Sequence, residues 1–339
     1  MRLPLTRLMT FRTTSFLCGG GHNGASGSTA VMPVHQRDTR IRLSPLFSRK
    51  PHPDAAIEAS FESIWADAVA ANPRIFNASK FRLHEWVWSS TAAGALSPSS
   101  SSMAQSASAA ATPLQLELSL GLTDYKTYLT TCCSTHVTRL LRDGQALHQD
   151  AYAFLSRKVG VSGVVETSNG HLAFIRRSRA VGVYQGLFDT PGGHPEPSHI
   201  GLDTTLLEAL SQPGNESKQQ QTETAATQEL FASISNEVHE EINVSMDNLE
   251  PPLLLGMVLQ AESATPSFAF HIRCRQTAAQ LRESYAQGPK DRFESSHLEL
   301  IASHQLLDET QAAPLMQQFT PAAQGSIELW TRWRQGHQS

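Results

Sequence analysis

A chain of 339 residues, 40% of them hydrophobic, can build one large core or two modest ones. A formal charge of -4 gives no footprint for nucleic acid or an anionic membrane, and the longest apolar run, Leu253 to Leu259, is broken by Gly256 and too short to span a bilayer. The four cysteines show no CxxC spacing, which argues against structural zinc and a disulfide-stapled fold and fits a reducing compartment.

The first acidic residue is Asp38; Arg2, Arg7, Arg12 and Arg37 precede it among many Ser and Thr. Such a composition suits a mitochondrial transit peptide, although Pro4 spoils an amphipathic helix and a solvated tail reads the same way. The expectation is a leader or disordered tail over 1–12, with a cytoplasmic or a mitochondrial location. Residues 13–150 are expected to form an N-terminal α/β domain. It opens with two short strands between Thr13 and Leu46, around the glycine-rich connection Gly19 to Gly27. Ile57, Phe61, Ile64, Trp65 and Ala68 recur at helical spacing and predict a helix from Asp54 to Ala70, stopped by Asn72-Pro73. Phe81 to Trp88 alternates as a strand. Residues 89–113 are almost wholly Ser, Ala, Gly and Pro, a disordered insertion by composition, and Leu114 to Leu122 resumes as a strand.

A second body is expected over 151–339. Val159 to Glu166 and His171 to Arg176 read as strands joined at Ser168-Asn169-Gly170, because Asn-Gly tolerates positive φ. The polar stretch 202–224 reads as a second insertion. Leu230, Ile234, Val238 and Ile242 then predict a helix from Ala225 to Ile242. Strands follow at Leu253 to Leu259, Phe268 to Cys274 and His297 to Ala302, and Thr320-Pro321 opens a C-terminal helix as cap and first-turn proline. Strands mixed with helices predict an α/β sandwich.

Two words carry chemistry: Asp189-Thr190-Pro191-Gly192-Gly193-His194-Pro195-Glu196 and Asn236-Glu237-Val238-His239-Glu240-Glu241-Ile242. On a helix Glu237, Glu240 and Glu241 share one face, where like charges repel by about 0.2–0.5 kcal/mol per pair unless a cation lies between them. A solvated acidic face is the common reading of such a helix. The Pro-Gly-Gly turn upstream, able to approach a ligand or the helix closely, is what points to a metal site instead. His84 and His194 lack metal-ligand spacing, and packing or capping is expected of them.

These words resemble the box of the Nudix hydrolases: Gly193 matches its first glycine, and Glu237-Val238-His239-Glu240-Glu241 its metal-binding core. The box is split by the insertion; Asn236 stands for its arginine and Asn243 for its last glycine, and Glu229 lies one residue out of register for the earlier glutamate. Phe81 to His84, Leu120 to Thr123, Arg176 to Arg179 and Pro191 to Pro197 are similar to the atypical branch that hydrolyses UDP-glucose and UDP-galactose.

The resemblance implies a Nudix α/β/α sandwich with a separate N-terminal α/β domain. It further implies magnesium or manganese on Glu237 and Glu241, with Glu240 beside them as the third catalytic acid. In the implied substrate site Phe76 and Tyr125 lie at the nucleotide and Arg177 on the diphosphate, while Asp189 and Glu196 accept from sugar hydroxyls or a backbone amide. The implied partner is a small-molecule nucleotide sugar, with no nucleic acid, membrane or protein partner. Two other readings stay open: a Nudix hydrolase of another diphosphate such as ADP-ribose, and a nucleotide-sugar sensor that binds without turnover.

Overall fold

The computed structural model describes residues 11–15, 31–90, 114–178, 184–289 and 295–337. Most of the expected leader, the Gly19 to Gly27 connection and the insertion beyond residue 90 lie outside them. Phe11 and Arg12, counted with the leader, begin the first strand, β1 (Phe11–Ser15).

The N-terminal half runs β2 (Thr39–Leu43), α1 (Ala55–Ala71), β3 (Ser79–Ser90), β4 (Leu114–Asp124), α2 (Tyr125–Thr131) and α3 (Val137–His148). Helix α1 follows its sequence signals: the Asp54 side chain accepts from Ala56 N at 3.0 Å, Ile57 and Phe61 are buried, and Asn72 closes it. Residues 125–150 carried no expected element, yet they form two helices. Helix α2 has 7 residues, too few for periodicity to show, and α3 has Gly144 in its interior.

The C-terminal half continues with β5 (Gly160–Thr167), β6 (His171–Arg177), β7 (Phe188–Asp189), β8 (Gly192–Gly193), α4 (Thr204–Leu210) and α5 (Glu216–Ile242). Then come β9 (Leu253–Gln260), β10 (Pro266–Cys274), α6 (Ala278–Ala286), β11 (Ser295–Ala302), α7 (Ser303–Leu307), α8 (Glu309–Met316) and α9 (Pro321–Gly336). Gly170, at φ 74°, makes the expected tight turn between β5 and β6.

The described strands form two sheets. The larger has the order β1-β9-β10-β5-β6-β11, with β7 beside β6 and β8 beside β5, and its β10–β5 pair is parallel. Its side chains alternate between two cores. Val161, Val165, Ala173 and Ile175 cluster with Ile234 and Val238 of α5, whereas Val164, Leu172 and Phe174 cluster with Ile327 and Trp330 of α9. This is the α/β/α sandwich. The smaller sheet, β2-β4-β3, sends Ile41, Leu43, Phe81, Leu83 and Leu118 into the same cluster as α5.

Two features depart from the sequence reading. First, α5 begins at Glu216 rather than Ala225, and α4 occupies 204–210, so the expected insertion over 202–224 is mostly helical. Its residues are polar but good helix formers, and Glu223 and Thr227 are buried because they serve an edge strand. Leu43 N donates to Glu223 Oε1 at 3.0 Å and Ile41 N to Thr227 Oγ1 at 3.1 Å.

Second, the boundary expected at 150 runs through one continuous core, and β1 pairs with β9 in the larger sheet instead of joining its sequence neighbours. The two sheets are also stitched through the backbone: Val159 N donates to Phe81 O at 2.8 Å and Leu83 N to Arg157 O at 3.1 Å. The buried Arg82 guanidinium donates to the carbonyls of Leu155, Phe47 and Tyr152 at 2.9, 2.7 and 2.7 Å. Arg157 does the same for Ala264, Leu83 and His84 at 3.1, 3.2 and 2.9 Å.

Candidate active site

The 191–196 turn crosses the end of the larger sheet because β8 pairs with the start of β5, Gly193 opposite Val161 and Gly192 opposite Ser162. Gly163 N donates to Pro191 O at 2.8 Å and fixes the turn's entry. The turn thereby lies against the acidic face of α5. Gly192 N donates to Glu241 Oε2 at 2.9 Å. A Cβ added at Gly193 would stand 1.8 Å from Glu237 Oε1, so glycine is required for this approach. Glu241 is 3% exposed, and Glu237 and Glu240 are half-buried. Turn and acids, separate words in the sequence, thus form one site.

The departures from the box have local explanations. Asn243 ends α5 in the left-handed conformation, φ 56° and ψ 40°, which asparagine adopts more readily than most residues. Its N–H donates to His239 O at 3.0 Å and its side-chain amide to Ser284 O at 2.6 Å. Glu229, out of register for the box, holds the turn instead. Its Oε1 accepts from Glu196 N and from His199 Nδ1, both at 3.0 Å. Asn236 is exposed.

Among the described residues no group of three or more His, Cys, Asp or Glu side chains is arranged to hold a metal ion. Glu237 and Glu241 lie one helical turn apart beside the glycine pair. Magnesium commonly takes one or two carboxylates and completes its shell with water and phosphate oxygens, so this donor set fits it.

Of the expected substrate residues, Arg177, Asp189 and Glu196 lie at the end of the larger sheet that the turn crosses, each with neighbours of its own. Arg177 Nη1 and Asp189 Oδ2 are paired at 3.0 Å. Asp189 Oδ1 accepts from Thr320 Oγ1 at 2.8 Å and Thr190 N at 3.1 Å, so both oxygens already serve this chain's own donors. Burial pushes the Asp189 carboxyl up, and Arg177 offsets only part of that rise. Glu196 receives Lys80 Nζ at 2.5 Å. Tyr125 packs in an aromatic cluster, its ring 6.4 Å from Trp65 and 6.0 Å from Tyr128, whereas Phe76 is 74% exposed. The two aromatics belong to one edge, because Lys126 N donates to Asn77 Oδ1 at 2.9 Å and Tyr125 N to Ala78 O at 3.0 Å.

The histidines behave as packing groups in part. His84 stacks on Phe47, centroids 5.2 Å apart. His194 instead accepts a hydrogen bond from the Lys158 ammonium, and its ring is held far below the usual imidazole range by desolvation and then by Lys158 and Lys80. Burial also pushes the Lys158 amine down to about 8, and the Tyr128 ring lies 4.4 Å from it. Lys80, Lys158 and Tyr128 carried no signal in the sequence. Lys80 is in β3, Tyr128 in α2 and Lys158 just before β5, and only the fold brings them to the turn.

No family model matches the chain. Among curated proteins it is similar to "Uridine diphosphate glucose pyrophosphatase NUDT22" of Bos taurus, 33% identical over 303 residues, covering 88% of this chain and 92% of that one. The Homo sapiens protein of the same name is 33% identical over 304 residues and 88% of each chain. "Nudix hydrolase 9" of Arabidopsis thaliana is 28% identical over 276 residues and 81% of each.

Proposed function

The chain belongs to the Nudix hydrolases, in the group of the UDP-glucose pyrophosphatases, and from that membership we propose that it hydrolyses the diphosphate of a UDP-sugar, UDP-glucose or UDP-galactose, to UMP and a sugar 1-phosphate. The observation that carries the reading is the Gly192-Gly193 turn laid on Glu237 and Glu241, which puts paired carboxylates beside backbone that can approach a ligand closely. Water supplies the oxygen that joins one phosphorus, the bridging P–O bond breaks, and the other phosphate leaves with the bridging oxygen.

Nudix hydrolases use a divalent cation; in this chain we assign magnesium, held by Glu237 and Glu241 with Glu240 alongside. When bound, such an ion polarises the phosphoryl oxygens and neutralises charge that builds on the departing phosphate. The chain's own part is orientation. Gly192 N holds Glu241 Oε2 in place, and Glu229 fixes the backbone at Glu196. Phe76 and Tyr125, joined along one edge, are the surface on which a uracil ring would stack.

The experiment is incubation of the purified chain with magnesium and UDP-glucose, UDP-galactose or ADP-ribose, followed by chromatography of the products. UMP and a sugar 1-phosphate from the UDP-sugars, lost in Glu241→Gln, are expected. Faster release of AMP from ADP-ribose, or undiminished turnover by Glu241→Gln, would overturn the assignment.

A further inference from the structure

Two lysines meet at the turn that carries the glycine pair, and they are not balanced by acids. Lys158 is 9% exposed and Lys80 6%. Lys80 has a carboxylate partner in Glu196 at 2.5 Å. Among the described residues Lys158 has none: its ammonium donates to His194 Nε2 and faces the Tyr128 ring at 4.4 Å. The Cys133 side chain is exposed and is no part of the buried charge balance. His194 is neutral for the reason already given and acts as acceptor through Nε2. The turn therefore faces two ammonium groups against one carboxylate.

Such an arrangement is costly. A buried ammonium without an anion loses hydration that a ring face and one imidazole nitrogen do not replace. Lys80 adds repulsion to Lys158. A hydrophobic residue of similar length would pack here without that cost, so the missing counter-charge belongs to a ligand.

Placement identifies its class. Consecutive residues of one turn face two kinds of charge: Gly192 and Gly193 lie on Glu241 and Glu237, His194 on Lys158, and Glu196 on Lys80. A ligand lying along this turn meets carboxylates that suit a cation at one end and two ammonium groups, with a single carboxylate between them, at the other. A diphosphate satisfies both, because it bridges to a cation through some oxygens and accepts hydrogen bonds from ammonium groups through others.

We propose that Lys158 and Lys80 form an anion-binding pair that holds the diphosphate of the substrate, with His194 orienting the Lys158 ammonium toward it. The inference rests on the reading of the turn and the acidic helix as the diphosphate site. Arg177, engaged by Asp189, is then not the sole cation available to the phosphates.

The test uses the full-length chain, with metal removed by chelation, and inorganic pyrophosphate, UDP and uridine as probes. Binding is read by calorimetry and by the shift in thermal midpoint. Lys158→Met should hold or raise the midpoint of the ligand-free protein, as a buried charge is removed, and should lose the stabilisation by pyrophosphate. Its affinity for UDP should fall roughly 10- to 100-fold, the scale of a lost charge-assisted hydrogen bond, while uridine binds as before. Lys80→Gln should weaken UDP in the same sense, and it carries the test if Lys158→Met fails to fold. With magnesium restored, both variants should raise KM for UDP-glucose more than they lower kcat.

If the parent hydrolyses UDP-glucose and both variants bind pyrophosphate and UDP as the parent does, the anion pair is wrong and the functional reading stands. If the parent leaves UDP-sugars intact but loses pyrophosphate binding on either substitution, the anion pair stands and the functional reading is wrong. A lower midpoint with unchanged UDP affinity would make the lysines structural and overturn the proposal.

Discussion

A methyl group at position 193 would stand 1.8 Å from Glu237 Oε1, so Gly193→Ala must displace the Glu237 carboxylate or the turn itself. Because Glu237 is the far end of a flexible side chain, the fold can absorb the change more easily than the chemistry can. Displacing a reacting group by about 1 Å costs roughly 100-fold in rate. Gly193→Ala should therefore lower kcat/KM with UDP-glucose by about that factor, while the thermal midpoint moves by only a few degrees. Near-parental kcat/KM would show that Glu237 does not need its position beside the turn.

At the scale of elements, polar side chains hold this fold at points where hydrophobic patterning says nothing. Arg82 joins β3 to residues 47, 152 and 155 through three carbonyls. Arg82→Met would leave those acceptors without their donor, at about 1–3 kcal/mol each when buried. The expected loss, about 3–6 kcal/mol, is measurable in urea unfolding, and a change below about 1 kcal/mol would mean that water replaces the guanidinium.

The contact of β5 with β10 and α9 contains a second such group. Glu166 Oε2 meets His271 Nε2 at 2.9 Å, and Glu166 Oε1 lies 3.6 Å from Arg334. Burial would raise the Glu166 carboxyl, but His271, Arg334 and Arg273 outweigh it and hold it below its ordinary 4.5. The contact's contribution is then complete above pH 4.5 and is lost as pH falls through the lower folded-state value. Glu166→Gln should melt below the parent at about pH 7, and the gap should close as pH falls below 4.5 and through the lowered folded-state value. A gap that stays constant into acid would show that Glu166 contributes by shape and not by charge.

For the whole molecule, the continuous core predicts one unfolding transition. Trp65, Trp86 and Trp88 report on the N-terminal half, and Trp330 and Trp333 on the C-terminal half. Variants that keep either set, with the others changed to Phe, should give the same urea midpoint by fluorescence as by far-UV circular dichroism. Two separated midpoints would mean that the halves fold independently in spite of their shared core. A fragment of residues 151–339 should itself unfold at much lower urea, because it loses the β1–β9 pairing and the face of α5 covered by the smaller sheet.

The sequence by itself determined what depends on near neighbours. Helical spacing and Asp54 located α1, Thr320-Pro321 opened α9, Asn169-Gly170 set the β5–β6 turn, and the spacing of Glu237, Glu240 and Glu241 put three carboxylates on one face. Each of these features is written within a few residues of chain, where backbone preference and periodicity act. Tertiary structure decided the rest. The polar stretch before Ala225 reads as an insertion until β2 supplies the N–H groups that Glu223 and Thr227 accept. Lys80 and Lys158 look like ordinary lysines until β3, the entry to β5 and the 191–196 turn converge and remove their water. Strand register and burial fix such meetings between residues far apart in the chain, and no local pattern encodes either.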